Sequence, residues 1–265
     1  MDILVCVKRV PMVGGKVVLT ADGQDVDTRM SGFTVSPHEE CAVEEAVQIS
    51  ERSGGTVTVL TLGPPEAADQ LREMLALGAH RGVLLETDGR EWGPVATSAA
   101  IAAAVGELGP TSFPLVLVGN EAADTGGYQV GIRLAHALGR SCVTGIKRLD
   151  LAGERLRAWR EHGAGQEEFE LGLPAVVGVK EGINLPRYPS LPGRLRAKRA
   201  EITVLKPVWQ ADGLRKVSLR VPAGSSQRAQ VLGRGVEAVP ELMRVLSEIG
   251  LLSPASRANA DGIVA

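Results

Sequence analysis

The chain has 265 residues, 44% of them hydrophobic, and its 29 lysines and arginines against 31 acids leave a net charge of −2. That length suits one large domain, or one domain with an extension, around a sizeable core, and the balanced charge gives no electrostatic footing for nucleic acid or an anionic membrane as main partner. No apolar run approaches the roughly 20 residues that cross a bilayer, and Cys6, Cys41 and Cys142 are too scattered for a disulfide framework or a CxxC centre; the expectation is a soluble, cytoplasmic protein with reduced thiols, no leader and no membrane insertion.

ILVCVKRV (3–10) is a nearly continuous apolar and β-branched run, the pattern of a strand covered on both faces of a parallel sheet. TVTVLTLG (56–63), GVLLETD (82–88) and PLVLVGN (114–120) repeat it. KVVLTADGQDVDT after the first strand reads as a hairpin turned at Ala-Asp-Gly. SPHEECAVEEAVQISERSGG predicts a helix with Ser36 as N-cap, Pro37 at its first position and Glu39 closing a capping box, and with Glu44 and Glu45 on a solvated face. PPEAADQLREMLALGAH, VATSAAIAAAVGELG and GGYQVGIRLAHALG read as three more helices. Strand and helix alternation of this kind predicts βαβ units in a doubly wound, mostly parallel α/β sheet.

From residue 141 to 182 apolar and polar residues alternate around AGE and GAGQ turns, which predicts added antiparallel strands. NLPRYPSLPGRLRAKR (184–199) places Pro186, Pro189 and Pro192 just ahead of four cations, Arg194, Arg196, Lys198 and Arg199. Proline fixes the backbone in advance, so an exposed Leu191 would be a preorganised apolar plug, with the cations steering an acidic partner. Residues 1–207 read as the α/β domain; 208–265 read as a Gly/Ser/Arg-rich arm, a helix within GVEAVPELMRVLSEIGLL (235–252), and a polar tail expected to be disordered.

Sites in open α/β sheets lie beyond the carboxyl ends of the strands. Four segments converge there: Cys6–Val13, Thr34–Glu39, Leu62–Pro65 and Gly119–Gly131. In the last, Gly126 and Gly127 let backbone amides turn toward an anion at a helix start, for which a phosphate is the natural guest; no Walker A or GxGxxG pattern is present, and no lysine stands at a P-loop position. The four histidines lack metal-ligand spacing, no GxSxG elbow occurs, and Glu161 beside Arg160 reads as a surface ion pair. Aromatic residues are only 3% of the chain, so a flat ring would have to be held by backbone and small side chains.

VCVKRVP, CAVEEAVQI, LALGAHRGVLL and, above all, LPAVVGVKEGINLPRYPSLPGRLRAKRAEITV resemble the beta subunit of electron transfer flavoprotein, in the right order over residues 1–207. The resemblance implies an adenine-nucleotide alpha hydrolase-like α/β fold and a C-terminal arm embracing an alpha subunit that carries FAD. The chain would be an electron carrier subunit, no stand-alone enzyme, passing electrons from acyl-CoA or other dehydrogenases toward a quinone oxidoreductase. By position it implies an AMP site, or a second FAD in bifurcating relatives, built from Cys6, Ser36, Pro37, His38, Glu39, Leu62 and Gly119 through Val130, including Asp124, Thr125, Gly126, Gly127, Tyr128 and Gln129. Val13 and Glu161 would face the flavin. Leu191, Pro192, Arg194, Leu195, Arg196 and Lys198 would form the dehydrogenase-recognition segment. Against the family pattern, Val13 stands where an aromatic residue is frequent, DTGGYQVG replaces an Asp-rich loop, Leu185 replaces a glutamate, and the tail beyond residue 210 exceeds what the core family needs. Of the rival readings on the same fold, a nucleotide-handling enzyme would need a Ser-Gly-Gly-type pyrophosphate loop that VKRVPMVGG does not provide, and a universal-stress-type regulatory module leaves the 184–199 strip and the arm without a role.

Overall fold

The computed structural model describes residues 1–12, 17–109, 113–211, 213, 216–222 and 230–252. Contacts divide the chain into two units, Met1–Arg220 and Val221–Ala265. In the first, β1 (Ile3–Cys6) leads to a two-stranded ribbon, β2 (Val10–Pro11) with β3 (Phe33–Thr34), and then to α1 (Pro37–Ser53). There follow β4 (Val57–Gly63), a 3-10 turn with α2 (Ala68–Leu77), β5 (Arg81–Glu86), α3 (Pro94–Leu108), β6 (Leu115–Gly119) and α4 (Val130–Leu138). β7 (Ser141–Ala152), β8 (Arg155–His162), β9 (Gly165–Gly172), β10 (Ala175–Val179), α5 (Leu191–Arg199) and β11 (Ile202–Leu205) complete it. The expected hairpin turned at Ala-Asp-Gly is marked by an antiparallel bridge between Leu19 and Val26.

One nine-stranded sheet runs β11-β5-β4-β1-β6-β10-β7-β8-β9. Its inner strands β1, β4, β5, β6 and β10 are covered on both sides, and the side chains of β1 divide by parity: Ile3 and Val5 pack with α1 and α2, Leu4 and Cys6 with α3 and α4. Both sets are almost wholly excluded from water. This two-sided burial is why the strand sequences are continuous rather than alternating in hydrophobicity. The doubly wound α/β architecture therefore matches the expectation.

The added strands differ from it in part. β8 and β9 are antiparallel, but β7 and β10 pair in parallel, with β10 inserted between β6 and β7. The reason lies in AVVGV (175–179), buried at all five positions, which belongs in the interior of a sheet. β11 was not foreseen; it adds in parallel to β5 at the sheet edge.

The capping box forms as expected: the Glu39 N–H donates to Ser36 Oγ at 3.3 Å and the Ser36 N–H to Glu39 Oε2 at 3.2 Å. Glu44 and Glu45 overturn the solvated-face reading, since both are buried. Arg187 forks onto Glu44 through Nε at 2.9 Å and Nη2 at 3.0 Å, and Asn184 Nδ2 donates to Glu45 Oε2 at 3.0 Å. The carboxylates of α1 are thus the anchor of the strip that begins at Asn184. Beyond α5 and β11, Trp209 Nε1 donates to the Glu91 carbonyl at 3.1 Å, and the Leu219 N–H donates to the Gly23 carbonyl at 2.8 Å.

In the second unit, α6 (Val239–Glu248) is amphipathic with no buried residue, and Arg244 pairs with both Glu241 and Glu248. The expected tail, 253–265, lies outside the described residues. No helix among the described residues is long and apolar enough to cross a membrane, and they hold no metal-ligating cluster.

Candidate functional site

β4 and β5 are laid down on one side of β1, β6 and β10 on the other, so the chain reverses direction between β1 and β6. A crevice must open where the connections diverge, beyond the carboxyl ends of those two strands. There lies a cavity of about 420 Å³, within the range of roughly 300–1,000 Å³ usual for small-molecule sites. Its apolar wall comes from Cys6, Leu60, Leu62, Ile101 and Val118, and its polar wall from Lys8, Glu39, Asn120 and the loop reaching Gln129.

Of the residues expected at a nucleotide site, Cys6, Glu39, Leu62, Gly119, Thr125, Gly127, Tyr128, Gln129 and Val130 line this cavity. Ser36, Pro37 and His38 stand behind it. His38 Nδ1 accepts the Glu181 N–H at 2.8 Å, which leaves the proton on Nε2, 3.2 Å from Glu121 Oε1. One imidazole thereby joins the start of α1 to the loops after β6 and β10. Asp124 faces Lys8 across the mouth at 2.8 Å, and the Gly126 N–H closes a turn onto the Ala122 carbonyl. Gly126 (φ 56°) and Tyr128 (φ 53°) both adopt left-handed backbone. That irregular path delays α4 to Val130, so Gly126 and Gly127 sit in the loop ahead of the helix rather than in its first turn, as the sequence had suggested.

Close approach explains two glycines. A Cβ on Gly119 would stand 2.6 Å from Glu39 Cγ, and one on Gly131 would stand 2.7 Å from Val118 Cγ2. Any side chain there would push the start of α1 or α4 away from β6. Glu39 itself is 6% exposed. Burial pushes its carboxyl up to about 7, against the N–H groups of Lys8 and Ser36, which favour the anion. Burial likewise pushes the Cys6 thiol up to about 12, so it is an unreactive wall residue.

Reading the sequence placed Lys8 within the converging segment Cys6–Val13 but gave it no role, and missed the segment Glu91–Pro94. Lys8 is carried from the end of β1 to the cavity, and Trp92, Gly93, Pro94 and Thr97 bring the start of α3 against it. The Trp92 indole N–H is buried without a partner among the described residues, a donor available to an occupant. The signal was present in Gly93-Pro94 at a helix start in the connection after a strand, comparable to the glycines that marked the loop before α4.

The remaining expected residues lie elsewhere. Glu161, on β8, pairs with Lys147 at 3.0 Å and does not line the cavity. Val13 lies outside the described residues. Leu191 is the first residue of α5, 71% exposed, with Pro192 next to it. Ser190 caps that helix by accepting the Gly193 N–H at 3.1 Å. Arg194, Leu195, Arg196 and Lys198 point to solvent, and none of these three cations has an acidic partner among the described residues.

Residues 26–208 match the profile described as "Electron transfer flavoprotein domain". The chain belongs to the electron transfer flavoprotein family. It is 37% identical over 210 residues to "Electron transfer flavoprotein subunit beta" of Mycobacterium tuberculosis, covering 77% of this chain and 78% of that one. It is 35% identical over 209 residues to the protein of the same description from Bacillus subtilis, covering 78% and 79%. A third such beta subunit, from Syntrophomonas wolfei, is 30% identical over 243 residues, covering 91% of this chain and 92% of its own length. A match over 91% of 265 residues, about 241, has to reach at least residue 241. Part of the region beyond 210 therefore aligns with that beta subunit.

Proposed function

We propose that the chain is the beta subunit of a heterodimeric electron transfer flavoprotein: a carrier that receives electrons from acyl-CoA or other dehydrogenases, as in fatty acid oxidation, and hands them toward a quinone oxidoreductase. The alpha subunit would hold the FAD, which supplies the redox chemistry, and residues 208–265 would form an arm that reaches this partner. Val13 and Glu161 would contribute to the flavin's surroundings. Three free thiols suit a cytoplasmic setting.

The observation that carries this reading is the contrast within residues 184–198. Asn184, Arg187, Gly193 and Ala197 are tied down or buried, while Leu185, Tyr188, Leu191 and Leu195 are exposed beside unpaired cations. Apolar side chains held rigid in water lose little entropy on docking, and the cations draw an acidic surface toward them. Leu191 would be the anchor, with Pro192, Arg194, Leu195, Arg196 and Lys198 around it.

The cavity between β1 and β6 would hold AMP. Its size suits a mononucleotide better than the larger FAD, the Trp92 N–H and Lys8 supply donors, and the start of α4, which no side-chain cap closes, offers N–H groups to a phosphate. Ser36, Pro37, His38, Asp124 and Gly126 would shape that site from behind. The nucleotide's work would be structural, tying the strand ends together.

The docking role is tested by coexpressing the chain with a flavoprotein alpha subunit and following reduction of the complex's flavin by an acyl-CoA dehydrogenase and its substrate. Leu191→Ala is expected to slow reduction at least tenfold at low carrier concentration while leaving the flavin content unchanged. Equal rates for the two complexes would refute Leu191 as anchor.

A further inference from the structure

Taking the nucleotide reading of the cavity as its basis, the charges on the wall pose a problem for an anionic guest. Lys8 is the one cation among the lining residues described, against three carboxylates, Glu39, Glu91 and Glu121. Two of those have partners: Glu91 lies 3.5 Å from Lys216, and Glu121 faces His38 Nε2. Lys8 is itself engaged by Asp124. Glu39 has no basic side chain bonded to it among the described residues; only the N–H groups of Ser36 and Lys8 hold its oxygens. The groups around it are Cys6 and Lys8 from β1 and the turn after it, His38 and Glu40 from α1 itself, and Glu121 and Asp124 from the loop after β6.

We propose that Glu39 makes anion binding in this cavity proton-linked: when a nucleotide phosphate enters, the Glu39 carboxylate takes one proton from solvent, and it returns that proton when the nucleotide leaves. A second negative charge brought into a confined, poorly hydrated space disfavours the anion already there. Of the groups present, Glu39 is the one able to respond. Burial has already brought its carboxyl to about 7, the Cys6 thiol is protonated throughout the working range, Asp124 and Glu121 face Lys8 and His38, and Glu40 does not line the cavity. The Glu39 side chain cannot swing away, because Gly119 leaves it no spare room and its own capping bond to Ser36 fixes it. Protonation is the response left to it. Glu39 thereby selects for conditions and for ligand charge: a neutral nucleoside would enter without proton uptake, a nucleotide only with it.

The test is calorimetric titration of the full chain, dialysed free of nucleotide, with AMP and with adenosine in buffers of differing ionisation enthalpy between pH 7.0 and 8.5. AMP is already dianionic there, since a phosphate monoester loses its second proton near pH ~6. The wild-type chain is expected to take up close to one proton per AMP at the upper end of this range, with affinity falling about tenfold over it, and none per adenosine. Glu39→Gln is expected to bind AMP with no proton uptake and a flat pH profile. Equal uptake with AMP and adenosine, or none with either, overturns the proposal without needing the variant, as does a Glu39→Gln chain that keeps the wild-type proton count. Failure of the wild-type chain to bind either compound overturns the nucleotide reading itself, and this proposal with it.

Discussion

Replacing Arg187 by alanine isolates the contact that holds the 184–199 strip to the domain. Its guanidinium forks onto Glu44 and reaches Glu51 at 2.7 and 3.0 Å, and its backbone N–H adds a third bond to Glu44. The Glu44 side chain is 4% exposed, and without the guanidinium its carboxylate keeps only two neutral donors, the Gln48 amide at 2.8 Å and the backbone N–H of residue 187 at 3.2 Å. Stranding a fully buried carboxylate costs about 3–5 kcal/mol. Arg187 is 36% exposed, so water can reach the vacated space and the expected loss falls to about 2–3 kcal/mol; the solvent-facing bond to Glu51 adds less than about 1. In urea unfolding of the full chain, Arg187→Ala should lower the midpoint accordingly with the slope unchanged. Arg187→Lys, which cannot fork, should recover only part of the loss. Glu44→Gln removes the stranded charge, so the double variant should be more stable than Arg187→Ala alone by about 1–2 kcal/mol. A loss below about 0.5 kcal/mol, or strictly additive single effects, would refute the view that this ion pair anchors the strip.

Folded Glu39 keeps its proton to about pH 7, whereas an unfolded glutamate loses it near 4.5, so between these values the folded chain binds more protons and stability falls as pH rises. The total is about 3 kcal/mol, complete above pH 7; unfolding midpoints from pH 4.5 to 8 should show this decline in nucleotide-free wild type and lack it in Glu39→Gln. Gly193→Ala would set a Cβ 2.8 Å from the Ala76 carbonyl and lever α5 off α2, so a loss of about 1–3 kcal/mol is expected, with faster proteolysis after Arg194 and Arg196. Leu191→Ala, at an exposed position, should change stability by less than about 0.5 kcal/mol; a larger loss in urea would show that Leu191 packs against its own domain.

What the sequence made legible was local or periodic. Ser36 and Glu39 stand three residues apart, and their mutual bonds follow from that spacing alone. The strand runs at 3, 57, 82 and 115 showed two-sided burial because apolar residues dominate both parities and no charge falls within their interiors. The partnership of Arg187 with Glu44 was invisible, since 143 residues separate them and a glutamate on a helix face ordinarily meets water. Lys8 fell within the expected segment Cys6–Val13 but was given no role, because phosphate-binding lysines were sought within a glycine-rich loop, whereas here the side chain arrives from a neighbouring strand end. Trp92 was missed for a related reason: the convergence of segments at the crevice depends on strand order, and the place of β5 beyond β4, which brings the start of α3 to the cavity, emerged only from the sheet. The two left-handed residues, Gly126 and Tyr128, shifted the start of α4, and a positive φ at a tyrosine has no sequence signature.

The central claim, that this chain is one half of a flavin-bearing electron carrier, is tested most directly by coexpressing it with an electron transfer flavoprotein alpha subunit, isolating the complex, denaturing it and counting the released nucleotides by chromatography and mass. The account predicts a one-to-one heterodimer that releases one FAD and one AMP. Two FAD without AMP would contradict the mononucleotide reading of the cavity, and a chain that forms no complex and carries no flavin would contradict the account as a whole.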